Sequence, residues 1–161
     1  MRRAEVFDVF GIAEALQRSI RELCVQDHQN DPEKLQDWLA NKTPETVRLW
    51  LQSPGEIWVV EQQGQIAAVG GISPVEHARG TIRLNYVAPA FRFQGISDRL
   101  LAHLEQRLIT LGASTLLLEA TETARDFYLT RGWMRDDTPP AGTRQQCLAM
   151  IKRPSSTPTP S

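Results

Sequence analysis

The apolar positions of this chain change period several times, and each change predicts an element. Ala4 to Phe10 reads as a strand, with Val6, Phe7, Val9 and Phe10 as its apolar members. Ile12, Leu16, Ile20, Leu23 and Cys24 then recur at helical spacing, which predicts an amphipathic helix. Asp31-Pro32-Glu33 and Thr43-Pro44-Glu45 each place a capping side chain before a proline, whose fixed φ and missing N–H suit a first helical turn. Two short helices follow from these starts. One carries Leu35, Trp38 and Leu39; the other carries Val47, Trp50 and Leu51, with Leu49 at the edge of its buried stripe. Ser53-Pro54-Gly55 is a break. Ile57 to Glu61, a turn at Gln63-Gly64, and Ile66 to Ile72 then read as a hairpin. Gly70 and Gly71 weaken its second strand and mark a bulge or a close backbone approach.

The second half alternates strands with helices. After a loop from Pro74 to Gly80 comes a strand, Thr81 to Val87. Ile96, Leu100, Leu104 and Leu108, with Leu101 and Leu111 beside them, form one apolar helix face that ends at Gly112, a C-cap glycine. Ser114 to Ala120 is an apolar strand, Thr123 to Thr130 a short helix stopped before Gly132, and Gln146 to Lys152 a closing strand. This order predicts an α/β (α+β) fold, a mixed central sheet with helices on its faces. A length of 161 residues suits one domain. That domain is expected over 1–153, and the Pro/Ser/Thr tail at 154–161 is expected to be disordered.

Composition narrows the function classes. Hydrophobic content of 41%, charged content of 23% and a net charge of −1 describe an ordinary globular chain. They argue against a dedicated nucleic-acid binder, although Arg79, Arg83, Arg92, Arg99 and Arg107 gather in one stretch. Cys24 and Cys147 make no Cys-x-x-Cys pair, and His28, His77 and His103 make no His-Glu-x-x-His motif, so no metal is expected. No apolar run approaches the ~18 residues of a membrane span, and no signal peptide is evident. The expected localisation is cytoplasmic.

Between the strand ending at Val87 and the following helix lies Arg92-x-x-Gly95-x-Ser97. The first N–H groups of a helix lack intrahelical partners and, with the helix dipole, attract anions. Gly95 removes a side chain that would block close approach, and Arg92 adds positive charge. The same residues also suit a tight turn with Ser97 as a capping group. On their own they leave both readings open.

The wider run TIRLNYVAPAFRFQGISDRLLAHLEQRL, followed by LLLEATETARDFYLTRGW, resembles the GNAT superfamily of N-acetyltransferases. The likeness rests on Val87 and Pro89, on Arg92 to Ser97, and on Ala124, Phe127, Tyr128, Gly132 and Trp133, and it extends loosely over residues 4–152. It implies acetyl-CoA as co-substrate, with its pyrophosphate on the amides of Phe93, Gln94, Gly95, Ile96, Ser97 and Asp98 beside Arg92. The pantetheine arm would follow Asn85, Tyr86 and Val87, the Val87 amide would face the thioester carbonyl, and Thr121 would help to hold the arm. Relatives usually carry Gly or Ala where this chain has Ser97, and often Gly where it has Phe93. Phe93 must therefore point outward.

The resemblance also implies that Tyr128 is the general acid that protonates the departing thiolate. The base is open, because Thr81 stands where some relatives carry glutamate. Glu119, emerging from an apolar strand, would be partly desolvated and so suited to proton transfer. It could equally hold the substrate amine or pair with an arginine, and a water relay needs no single base. His77 reads as an exposed loop histidine, and Trp38 and Trp50 as core residues that could wall an acceptor pocket. The expected function is acetyl transfer from acetyl-CoA to a primary amine of a small molecule. The alternatives are acetylation of a protein N-terminus or lysine, and a silent acyl-CoA-binding module. Neither nucleic acid nor membrane is expected as a partner, and a homodimer is common for relatives of this size.

Overall fold

Ala4 to Phe10 do not form the expected strand. Asp8 decides this, because its carboxylate accepts the Glu5 backbone N–H at 2.8 Å and pairs with Arg2 at 2.7 Å, closing a local turn. Such side-chain bonds to nearby backbone compete directly with a sheet ladder. A 3-10 turn therefore spans Val6–Asp8, and Val9, one turn before Ile12, begins helix α1 (Val9–Leu23). Val6, Phe7 and Phe10 remain exposed; Arg2–Arg3 (β1) pair with the sheet edge, and the Ala4 N–H donates to the Ile57 carbonyl.

The computed structural model describes residues 1–143 and 147–155. After α1 come α2 (Val25–His28), α3 (Pro32–Leu39) and α4 (Pro44–Gln52). The two proline-headed helices start where the caps predict. Asp31 accepts from the amides of Glu33 and Lys34, and Thr43 from that of Thr46. The hairpin β2 (Glu56–Gln62) and β3 (Gln65–Ile72) leads to β4 (Arg79–Val87), and then α5 (Ile96–Thr110), β5 (Thr115–Ala120), α6 (Arg125–Leu129), β6 (Met134–Arg135) and β7 (Leu148–Lys152) follow. The expected Gln146 start of the last strand and positions 156–161 of the expected disordered tail lie outside the described residues. Leu49 is 61% exposed, which puts it off the buried stripe of α4.

The strands form one sheet in the order β1-β2-β3-β4-β5-β7-β6. Among the described residues its pairs are antiparallel except β4 with β5. Two apolar clusters cover it. Val9, Ile12, Leu16 and Val47 join Val59, Val69 and Leu84 under α1 and α4. Ile96, Leu100, Leu104 and Leu108 join Ile82, Leu116, Leu118 and Tyr128 under α5. Helices thus shield both faces, as the alternation of elements predicts. The paired glycines have a specific reason: a Cβ on Gly70 would lie 2.8 Å from Leu104 Cδ1 and 3.0 Å from Leu100 Cδ1. Helix α5 can sit this close only because β3 has no side chain there. No helix among the described residues is long and apolar enough to cross a membrane.

Candidate active site

The centre of the sheet opens into a wedge. The β4–β5 ladder runs only from Arg79–Thr115 to Ile82–Leu118, after which β5 stays with β7 and β4 stays with β3. A register shift marks the parting point: Gly71 pairs with Leu84 but Ile72 pairs with Ile82, so Arg83 is an extra residue in β4. Such a bulge bends its strand and ends regular pairing. Ala88 N–H donates to the Ala67 carbonyl at 2.8 Å, which fixes the alternation of the antiparallel β3–β4 ladder. Ala68–Val87 and Gly70–Asn85 are then non-bonded pairs. The N–H groups of Val87 and Asn85 therefore turn away from β3, into the wedge.

Helix α5 starts at the head of this wedge. Its N-cap is Gly95, at φ 74°, with no side-chain hydrogen bond capping the turn. Ser97 is consequently not the capping group that its type suggests; it is the second residue of the helix. Phe93 also adopts a left-handed conformation, φ 65°, which a bulky side chain rarely takes. Its ring is 90% exposed and lies 4.7 Å from the Arg92 guanidinium, so it does point outward. Two left-handed residues in three curl the loop and leave the first amides of α5 facing out. Asp98, in the first turn, is held by Arg131 at 2.7 Å, and that guanidinium keeps its carboxyl below the usual range.

A groove of about 230 Å³ occupies the wedge. Its walls include Asn85, Tyr86, Val87, Arg92 and Ser97 on one side, and Glu119, Thr121 and Tyr128 on the other. Phe93, Gln94, Gly95, Ile96 and Asp98 are not among its walls, and the Ile96 side chain is buried in the core. What those five residues can offer is backbone. Tyr128 is only 6% exposed, between the rings of Phe127 and Trp133. Burial pushes its phenol up to about 12, against a hydrogen bond from Asn85 Nδ2 to its oxygen at 3.1 Å. The phenol is thus a neutral O–H donor at any ordinary pH.

A second cleft, of about 790 Å³, adjoins the groove and shares Ile82, Arg83, Tyr86, Glu119 and Thr121 with it. Its outer wall comes from α2 and α3, through Asp27, His28, Lys34, Asp37 and Trp38; Thr81 lies on the sheet side. Trp38 therefore lines a cavity, edge-on to His28 at 6.2 Å, whereas Trp50 packs on the α1 core. His28 is 1% exposed and fully used: Asn30 N–H donates to Nδ1 at 3.0 Å, so Nε2 carries the proton and donates to the Ile20 carbonyl.

One expectation needs correction: Glu119 is exposed, so the partial burial on which a base role was argued is absent. The Thr121 hydroxyl accepts the Ala124 N–H at 3.2 Å, closing the turn into α6, and as a hydroxyl it retains a donor on the wall of both cavities. The sequence reading also missed several contributors. Ser19, Leu23 and Cys24, at the end of α1, line the groove, and Asp27 binds the loop before α6. The helical spacing of Leu23 and Cys24 was visible, but their place on the groove wall requires the fold.

The site suits a cofactor arm that carries amide groups and ends in phosphate. Asn85 Oδ1 is buried without a protein donor, and the wedge-facing N–H groups of Val87 and Asn85 supply donors beside it. The uncapped start of α5 offers further amides, with Arg92 alongside.

Comparison with known proteins agrees with this fold. A family model of the acetyltransferase (GNAT) domain matches residues 24–152. The fold resembles that of a PaiA N-acetyltransferase from Thermoplasma acidophilum, crystallised in complex with coenzyme A. The two superpose with a TM-score of 0.76 at 15% identity, over 94% of this chain and 96% of that one. A GCN5-related N-acetyltransferase from Rhodopseudomonas palustris gives 0.76 at 20% identity, over 94% and 93%. A ribosomal-protein-alanine N-acetyltransferase from Brucella melitensis gives 0.62 at 20% identity, over 94% and 98%. No curated protein sequence gives a significant match.

Proposed function

The chain belongs to the GNAT acetyltransferase family, with acetyl-CoA as co-substrate, and we propose that it acetylates a primary amine of a small molecule by direct attack. The observation that carries this reading is the wedge itself. It combines two inward-facing β4 amides and a buried neutral phenol in one groove, which reaches the uncapped start of α5 through Arg92 and Ser97. In this reading the amides at the head of α5, with Arg92, hold the pyrophosphate. The Val87 N–H donates to the thioester carbonyl oxygen, where negative charge builds during attack. Tyr128 gives its proton to the departing sulfur. Glu119, on the wall common to both cavities, receives the acceptor ammonium as a charge-assisted partner, and the ammonium gives up one proton to water so that the nitrogen lone pair can attack.

The size of the second cleft favours a small acceptor. At about 790 Å³ it falls within the roughly 300–1,000 Å³ of small-molecule sites, and α2 and α3 wall it. The test is a thiol-release assay with acetyl-CoA across small amines and peptides, paired with calorimetric titration of acetyl-CoA. Turnover of small amines over peptides is expected. Faster turnover of peptides would replace the small-molecule reading, binding without turnover of any amine would leave a silent binder, and no binding would remove the site assignment. Tyr128→Phe should lower kcat with little change in acetyl-CoA affinity; an unchanged kcat rejects Tyr128 as the acid.

A further inference from the structure

Tyr128 faces a conflict that its surroundings must resolve. A general acid becomes an anion when it acts, yet this phenol is buried against Phe127 and Trp133. The charged group that acts on it most is Glu105, which disfavours a phenolate. Glu105 is itself bound by Trp133 Nε1 at 2.8 Å and by Lys152 Nζ at 3.1 Å. On the groove side, the side chain that meets the phenol oxygen is Asn85, through Nδ2 at 3.1 Å. Asn85 stands opposite Gly70, where α5 leaves no room for a side chain on β3, so nothing from the cross-strand position competes for its amide.

We infer that the Asn85 side chain is a positioning residue for acid catalysis, acting through Tyr128 rather than by holding the cofactor arm alone. This rests on the reading of Tyr128 as the acid. Because Nδ2 donates to the phenol oxygen, the phenol proton is left to point elsewhere, and the groove is where a sulfur would lie. As the carbon–sulfur bond breaks, its electron pair goes to sulfur and the Tyr128 proton follows. The resulting phenolate keeps the Asn85 hydrogen bond, which strengthens when its acceptor becomes charged. The proton lost by the acceptor nitrogen returns the phenol to neutrality through solvent.

The experiment is a double-mutant cycle with a pH profile. Asn85→Leu should lower kcat roughly tenfold, the scale of one hydrogen bond to a charged group, while KM for acetyl-CoA reports separately the loss of Oδ1 from the arm. In a Tyr128→Phe background the same substitution should cost almost nothing more. Asn85→Asp keeps the shape and loses the donor when ionised, and it stands in if the leucine variant does not fold. Its kcat relative to the parent should be low near neutrality and recover on acidification, as the protonated carboxyl regains a donor. Equal loss in both backgrounds, or an Asp-to-parent ratio flat with pH, would overturn the inference while leaving Tyr128 as the acid. A Tyr128→Phe enzyme at full speed would remove both.

Discussion

The carboxylate of Asp27 accepts the Thr123 hydroxyl and the Glu122 amide, both at 2.5 Å, across almost a hundred positions of sequence. It thereby ties α2, part of the outer wall of the larger cleft, to the loop that delivers Tyr128. Asp27→Ala should release that wall and raise the acceptor KM roughly fivefold, about 1 kcal/mol for a lost hydrogen bond. Acetyl-CoA affinity should change less. Steady-state kinetics with each substrate varied in turn measures both, and equal effects on the two would contradict a role in the acceptor wall.

Gly70→Ala tests the close approach of α5 to the sheet. The new methyl would overlap the ends of Leu100 and Leu104, which can shift only within a packed core. A loss of about 1–2 kcal/mol is expected, readable as a lowered denaturation midpoint. Because Gly70 lies opposite Asn85, kcat should fall as well. Stability equal to the parent would mean that the helix can retreat from β3.

Phe93 allows its backbone to be tested apart from its side chain, since the ring is almost wholly exposed. At φ 65° a β-branched residue is strained, whereas glycine is not. Phe93→Val should therefore be less stable than Phe93→Gly by roughly 1–2 kcal/mol, with both variants losing the Arg92 contact alike. Acetyl-CoA affinity should follow the same order in calorimetry. Identical variants would show that the loop is free to leave the left-handed region.

Acid should weaken the fold through Asp8. The Arg2 guanidinium and the Glu5 amide hold its carboxyl below the ordinary range, against its burial. A depressed carboxyl contributes stability in full above its unfolded pKa, roughly 3.9, and loses it as pH falls through the lower folded value. Asp8→Asn should lower stability at neutral pH and flatten the slope below about pH 4. Denaturant melts at neutral and acid pH compare the two chains, and parallel slopes would exclude Asp8 as a source of the acid response.

The legible parts of this chain were those set by local chemistry. Asp31 and Thr43 before their prolines announced α3 and α4, and the four-residue spacing from Ile96 to Leu108 announced α5. Ala4 to Phe10 misled because its apolar residues look like a strand, while one carboxylate, Asp8, closes a turn instead. Ser97 misled because its type suits a cap, but Gly95 takes the left-handed position that begins the helix. Glu119 follows three buried leucines and yet is exposed, since alternation along β5 turns it to the opposite face from Leu118 and Ala120.

By itself, then, the sequence determined the elements from α3 to α6, the family and the order in which the site's pieces occur, because caps, periodicity and short motifs act within a few residues. The tertiary structure decided how those pieces meet. The parting of β4 from β5 after Ile82 and Leu118 turns two amides inward, and the space above Gly70 brings α5 down onto the sheet. The same packing sets Asn85 against Tyr128, forty-three positions away. Strand register, close approach and burial are properties of surfaces that exist only once distant segments have packed together.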